Sequence, residues 1–362
     1  MTELEKARKI INEVDSEMAK LFVKRMDAVK QVAAYKKQTG MQVTDAAREE
    51  EVIAKNARLL ENSQYKSYYI NFLRENMEIS KKFQHRLLEG MKVAYSGVEG
   101  AFANIAAKKI YPDASAVAYT DFKSAYDAVV NGECDCVVLP IENSYNGDVG
   151  QVMDLAFFGS LYINGLYDIG VVQNLLAVKG ASIESIKEVI SHPQALGQCA
   201  DYIRRHGFEE IQAVNTAVAA KMVAESGRTD IAAIASEDAA GKYGLVKLDS
   251  HINESNVNTT RFAVFSRVPK ASAVKDNHFI LLFTVSNEAG ALGRAVSVIG
   301  KYGFNLKALK SRPTKELIWS YYFYVEGEGN INTERGEEMI EALHKYCSDI
   351  KIVGSFEKEI SL

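Results

Sequence analysis

Along the first forty positions apolar residues recur at intervals of three and four. Ile11, Met18, Phe22, Val29 and Val32 fall on one stripe together with Arg8, Asp15, Arg25 and Lys36, the spacing that turns one face of a helix toward other helices. The pattern predicts a helix over about residues 3–38, broken near Gly40, then helices over about 45–60 and 64–88. From Met91 it changes to short apolar runs (KVAY, AVAY, CVVLP, LLAV, EVIS, IAAIAS, RFAVFS) alternating with helical stretches. That alternation predicts βα units and a largely parallel sheet. The polar stretch PKASAVKDN, residues 269–277, reads as a linker. Beyond it the order is β-α-β-β-α-β: HFILLFTV, GALGRAVSVIGKYG, NLKALKSR, LIWSYYFYVE, TERGEEMIEALHKYC and IKIVGSF, a ferredoxin-like arrangement.

Composition sharpens this division. The chain has 362 residues, 47% apolar and 25% charged, the balance of a soluble globular protein of two or three domains. Its first ninety residues hold no proline, cysteine or tryptophan, and only two glycines, Gly40 and Gly90. Seventeen Lys and Arg face fourteen Asp and Glu there, whereas the rest of the chain carries 26 against 33. An all-helical module with a small positive excess therefore precedes acidic α/β material. The net charge of −4 leaves no basic excess for a nucleic acid. No run of eighteen apolar residues suggests a membrane span, and MTELEKARKI lacks the apolar core of a signal peptide, so a cytoplasmic protein is expected. Cys134, Cys136, Cys199 and Cys347 lack metal-site spacing and read as reduced core thiols. Neither metal nor cofactor is expected.

Candidate chemistry starts with the cations on the first stripe. Each of Arg8, Arg25 and Lys36 alone can snorkel to water. Three together suggest an anionic ligand inside the bundle, because unpaired buried charge is costly. At about 1.5 Å per residue, Arg25 and Lys36 lie roughly 16 Å apart and can converge on one small molecule. Arg8 lies roughly 25 Å from Arg25, so it would have to come from a second subunit, giving an intertwined dimer. Asp45 is either a helix cap or a ligand-binding group, and Arg48 and Glu49 either a solvated face or part of a site. Ser80 and Gln84 share a face of the third helix. Together these residues resemble the small all-helical chorismate mutases across residues 3–88. The resemblance implies the rearrangement of chorismate to prephenate. Arg8 and Arg25 would grip carboxylates, Lys36 and Gln84 would bond the ether oxygen, and Glu49, with Asp45 and Arg48, would orient the ring hydroxyl. Ser80 completes the set.

The middle region carries four clusters: YSGVEGAFANIAA with a Gly97-x-x-Gly100 turn, Pro140–Ser144 ending an apolar strand, Ser191–Gln194 (SHPQ), and Asn258–Phe262 (NTTRF). The first lacks G-x-G-x-x-G, so a backbone anion site fits it better than a dinucleotide site. His192 is either a general base or a structural residue of its turn. In this order the clusters resemble prephenate dehydratase over about residues 92–267. The resemblance implies two α/β lobes, like periplasmic binding proteins, closing on a cleft. It makes Thr260 the main catalytic group and lines the cleft with Glu142, Asn143, Ser144 and Gln194, while Arg261 is a structural or carboxylate-binding neighbour. Ala101 and Ala103 stand where the family usually has hydroxyl residues.

Residues 278–356 resemble an ACT regulatory domain of the phenylalanine-binding type. Gly290, Ala291, Leu292, Ser311 and Arg312 match its effector motifs. Gly293 and Lys310 depart from them, the latter replacing a glutamate, and Trp319 falls in the aromatic strand. The expected organisation is a mutase over 1–90, a dehydratase over 91–268 and a regulatory domain over 278–356. Such a chain converts chorismate through prephenate to phenylpyruvate, with L-phenylalanine as effector and a homodimer, or a larger oligomer, built through the N-terminal helices. A non-catalytic amino-acid or anion sensor on the same scaffold is the alternative.

Overall fold

In the computed structural model, residues 2–61, 63–255, 258–271, 274–314 and 320–362 are described. The chain divides into two compact units, Met1–Met91 and Lys92–Leu362.

The first unit is three helices, α1 (Glu3–Thr39), α2 (Ala46–Leu59) and α3 (Lys66–Glu89), each within two residues of the expected bounds. Thr2 and Glu5 form a capping box at the start of α1, and Gly40 ends it in the left-handed conformation at φ +70°, where glycine carries no Cβ penalty. Only Ala33 of α1 is buried. Its apolar stripe lies open to solvent in this chain: Ile11, Val14, Met18, Phe22 and Val32 are all exposed.

In the second unit a first lobe is built from β1 (Lys92–Ser96), α4 (Phe102–Ile110), β2 (Ser115–Tyr119), α5 (Phe122–Val130), β3 (Cys136–Asn143), β4 (Gly147–Asp148), α6 (Gly150–Phe158) and β5 (Tyr162–Gly170). The chain then crosses to a second lobe: β6 (Asn174–Ala177), β7 (Glu188–Ser191), α7 (Pro193–Gln198), α8 (Ala200–His206), β8 (Glu209–Gln212), α9 (Thr216–Ser226), β9 (Ile231–Ala235), α10 (Glu237–Tyr243) and β10 (Val246–Asp249). It returns through β11 (Thr259–Ser266), which enters the first lobe between β3 and β5 and runs antiparallel to both. The sheets are therefore mixed, correcting the expectation of a largely parallel one. The local βα units are parallel (β1 with β2 and β3, β7 with β8 and β9), but β11 in one sheet and β6 in the other reverse direction. Pro140 lies beside a bulge where β3 meets β11, the position a strand proline without an N–H tolerates.

The C-terminal strands and helices are β12 (His278–Val285), α11 (Ala291–Lys301), β13 (Asn305–Pro313), β14 (Tyr321–Glu328), α12 (Glu334–Leu343) and β15 (Cys347–Phe356), with the short β16 (Ile360–Ser361) joining β5. Their sheet order is β13-β14-β12-β15, the ferredoxin-like order. Trp319 lies outside the described residues. Both faces of this sheet's central strands, β12 and β14, are largely buried. Phe279, Leu281 and Phe283 pack against Ile299, Met339 and Leu343 of the covering helices. Ile280, Leu282, Tyr322 and Tyr324 share a core with Leu139, Ile141 and Met153 of the first lobe. Within the stretch read as a linker, Asp276 is buried and the Asn277 N–H donates to the Phe356 carbonyl.

Candidate active sites

A cleft of about 580 Å³ opens between the two lobes of the second unit. The amino ends of α4, at Ala101–Ala103, and of α9, at Asn215 and Thr216, line it, so two helix dipoles present positive ends to an anion there. The turn before α4 requires its glycines: Gly97 and Gly100 have φ of +103° and +90°. Ala101 caps α4 without a side-chain hydrogen bond, so in place of hydroxyls the cleft has methyl groups at 101 and 103.

On the opposite wall, neighbouring β3 and β11 pair Asn143 with Thr260, and both line the cleft. The Asn143 Oδ1 accepts the backbone N–H groups of Tyr145 and Asn146, each at 3.0 Å. Backbone N–H groups only donate, so this fixes the amide orientation. Asn143 Nδ2 then donates to Thr260 Oγ1 at 2.9 Å, to Asn258 Oδ1 at 3.1 Å and to the Thr259 carbonyl at 3.2 Å. Because Thr260 accepts from Asn143, its own hydroxyl hydrogen is left to point at a ligand. The polarity runs onward: Asn258 Nδ2 donates to Gln198 Oε1 at 2.9 Å, and Gln173 Nε2 to the same oxygen at 3.4 Å. This buried amide chain joins the lobes. Sequence reasoning missed Gln173 and gave no role to Asn258 or Gln198. The visible signal was a pair of amides, Gln173 and Asn174, opening an apolar strand.

Gln194 lines the cleft as expected. His192 caps α7, its Nδ1 accepting the Gln194 N–H at 3.3 Å. Burial lowers its pKa, and a neutral capping imidazole suits the structural reading. Two expected cleft residues, Glu142 and Ser144, are not among those lining it, nor is their neighbour Arg261. Ser144 Oγ accepts the Thr259 N–H at 2.9 Å and locks the strand ends. Glu142 and Arg261 pair across β3 and β11 one position before and after Asn143 and Thr260, and alternation along a strand sends them to the other face. There Arg261 holds Asp168 through two bonds of 2.8 and 3.0 Å, with Glu326 at 3.5 Å. The hydrogen bond to Asp168 raises its pKa against burial. Glu142 meets Lys310 of β13 at 3.0 Å.

Of the expected effector residues, Gly290 caps α11 at φ +79°, Ala291 is buried and Leu292 packs on the covering-helix core. Ser311 is exposed. Arg312 turns instead to α6, binding Asp154 through Nε at 2.9 Å and Nη2 at 3.1 Å. Tyr322 donates to the same carboxylate at 2.8 Å.

In the first unit, the structure brings Arg25 to α3, where its Nη1 bonds Ser80 Oγ and, at 3.2 Å, the Asn76 carbonyl. Burial lowers its pKa, though a guanidinium stays charged in proteins. Gln84 is buried on the same face, one turn from Ser80, with its Oε1 unpartnered. An arginine and an unsatisfied amide on one buried face make a polar patch suited to an anion with a hydrogen-bonding oxygen. Glu49 is drawn to α3 by Lys81 at 3.0 Å; Lys81 was missed by sequence reasoning. Lys36 donates to the Val43 carbonyl at 2.6 Å. Asp45 caps α2 by accepting the Arg48 N–H at 3.0 Å, and Arg48 pairs with Glu51 on the exposed face, so both serve the solvated and capping roles in this chain. Arg8 is exposed on α1 and is not among these side chains.

Among the described residues no cluster of three or more potential metal ligands occurs, and no helix is long and apolar enough to cross a membrane. A family model for chorismate mutase type II matches residues 7–85, and one for prephenate dehydratase matches residues 93–270. A bifunctional chorismate mutase/prephenate dehydratase of Aquifex aeolicus is 30% identical, covering 99% of both chains. An arogenate dehydratase/prephenate dehydratase of Arabidopsis thaliana is 33% identical over 75% of this chain and 74% of its own. The structure of a prephenate dehydratase from Arthrobacter aurescens in complex with L-Phe matches with a TM-score of 0.69 at 25% identity, covering 74% of this chain and 90% of that one. With a relative of that identity aligned along its full length, the chain belongs to the bifunctional chorismate mutase/prephenate dehydratase family.

Proposed function

We propose how the residues described above divide the two reactions of this family. Mutase chemistry falls to Arg25, Lys36, Glu49, Ser80 and Gln84, with Asp45 and Arg48 beside them. The [3,3] rearrangement needs no nucleophile; it needs the dianion held in a compact conformer and charge stabilised on the breaking ether oxygen. Arg25 grips a carboxylate, and Lys36 and Gln84 bond the ether oxygen. Arg8 of a second copy completes the site. What supports the intertwined homodimer is the open apolar stripe of α1, which this chain alone leaves in water.

Dehydratase chemistry falls to Thr260. As the ring carboxylate leaves as carbon dioxide, its C–C electron pair enters the ring and expels the hydroxyl, and the ring becomes aromatic. The observation that carries this assignment is the fixed polarity at Thr260, whose hydrogen is free for the departing oxygen because Asn143 donates to Oγ1. A positioned hydrogen-bond donor to charge that develops in the transition state contributes about 10²–10³-fold. Gln194 and the ends of α4 and α9 bind the substrate carboxylates. The ferredoxin-like C-terminal sheet is an ACT module that takes phenylalanine, supported by the L-Phe bound to the Arthrobacter relative. A cytoplasmic setting fits four buried cysteines, none of them in a disulfide.

Separation of function is the test. Arg25→Ala should remove chorismate consumption while phenylpyruvate still forms from added prephenate, and Thr260→Ala should do the reverse. Loss of both activities in both folded variants would refute the two-site assignment.

A further inference from the structure

Position 310 stands out as a cation where the resembled motif carries an acid. Lys310 Nζ lies 2.6 Å from Asp148 Oδ1 and 3.0 Å from Glu142 Oε1, and its side chain is only 15% exposed. Burial lowers its pKa, but the bonds to Asp148 and Glu142 outweigh that and raise it, so it stays charged. Glu142 and Asp148 stand directly opposite each other across the β3–β4 hairpin. Like charges in that relation push strands apart. The hairpin has only a two-residue second strand, and its next pair is Asn143 with Gly147. Its turn supplies the two backbone N–H groups that fix the Asn143 amide, and Asn143, Asn146 and Gly147 line the cleft.

We infer that Lys310, reaching from the C-terminal sheet, is a positioning residue of the dehydratase: it neutralises the Glu142–Asp148 pair and keeps the β3–β4 hairpin closed, holding Asn143 against Thr260. Lys310 touches no substrate and acts through Asn143. Other charges on this face belong to Arg261, Asp168, Glu326, Glu359 and Lys307. Of the cations among them, Arg261 stands 3.9 Å from Glu142 with Asp168 nearer, and Lys307 is bound to Glu359. Without Lys310, Glu142 would be left with the 3.9 Å approach of Arg261, whose guanidinium is also bonded to Asp168.

The inference rests on Thr260 as the hydrogen donor, and the experiment separates the two claims. Lys310→Met should lower dehydratase kcat about tenfold with KM for prephenate within about twofold, since donor alignment matters most in the transition state. Chorismate mutase activity should be unchanged. Lys310→Arg should retain kcat. Adding Asp148→Asn to Lys310→Met should recover kcat to within about threefold of wild type, because the repulsion is gone; a side chain that only filled space would give no such suppression. An unaltered kcat in Lys310→Met, or a double variant as slow as the single one, overturns the inference. Should Lys310→Met not accumulate as folded protein, Lys310→Gln with and without Asp148→Asn makes the same comparison. Failure of the Thr260 assignment would appear separately, as dehydratase activity surviving in Thr260→Ala.

Discussion

Replacing Asn143 with aspartate changes one atom group and tests the polarity on which the dehydratase reading depends. The carboxylate still accepts the N–H groups of Tyr145 and Asn146, so the turn is kept. The donor that faced Thr260 Oγ1, Asn258 Oδ1 and the Thr259 carbonyl becomes an acceptor facing three acceptors. Thr260 then turns its hydrogen to the new carboxylate and withdraws it from the departing hydroxyl. An unmet polar contact costs about 1–3 kcal/mol; Thr260 relieves one of the three, and the part-buried site lets water relieve others, so a stability loss of about 1–3 kcal/mol is expected. Loss of a hydrogen-bond donor at the developing charge costs about 10²–10³ in rate, and 10² corresponds to about 2.7 kcal/mol in the barrier. The assay is phenylpyruvate absorbance in alkali after incubation with prephenate, with chorismate consumption in the same preparation as the control. Asn143→Asp should lose at least about 100-fold in dehydratase kcat and keep its mutase rate. A kcat within about threefold of wild type would show that the Asn143–Thr260 polarity is irrelevant to catalysis.

Three further outcomes follow from features elsewhere in the chain. Co-expressing Arg8→Ala with Arg25→Ala should restore mutase activity to about a quarter of wild type, because random pairing gives half heterodimers with one intact site each; no recovery would argue that Arg8 and Arg25 serve the same subunit's site. Gly150 abuts the Arg312 guanidinium with no room for a Cβ, so Gly150→Ala should dislodge Arg312 from Asp154 and cost about 1–3 kcal/mol, read as a lower urea midpoint. Burial pushes the Glu359 pKa up, but Lys307 and His278 outweigh it and hold it below 4.5. A carboxylate depressed in the folded state contributes stability above its unfolded pKa and loses it as pH falls through the folded value. Glu359→Gln should therefore flatten the acid side of the stability profile below about pH 5 and leave less stability at neutrality.

The helical module was largely legible because its information is local: a heptad-like stripe, glycines closing α1 and α3, and an aspartate cap opening α2 mark most of its boundaries. The C-terminal order was legible for the same reason: HFILLFTV and YYFYV are apolar runs, and NLKALKSR alternates apolar with polar residues. Strand pairing in the middle region was not. The partners of β11 lie more than a hundred residues earlier on one side and about ninety on the other, and nothing in RFAVFS states the direction of a strand it will meet after a detour through another lobe. β5, reading YINGLYDIG, was missed altogether, since glycines and an asparagine break its apolar pattern. Site residues divided in a similar way. Asn143 and Thr260 were named from their motifs and face the cleft, whereas Glu142 and Arg261, named from the same motifs, face away. Period-two alternation carried that distinction, but only once one residue of the strand had been assigned a face. Lys310 was visible as an anomaly, and its meaning lay in Glu142 and Asp148, about 160 positions away.

The C-terminal sheet is sandwiched, with its own helices on one side and the catalytic lobe on the other. Melting and refolding of these two parts should therefore occur as one cooperative event, since neither can release the sheet without wetting Ile280, Leu282, Tyr322 and Tyr324. A protease that nicks the connection near residue 270 should leave two fragments that stay associated, and the isolated fragments should aggregate. Replacing this sheet with a different module would mean redesigning the floor of the first lobe as well.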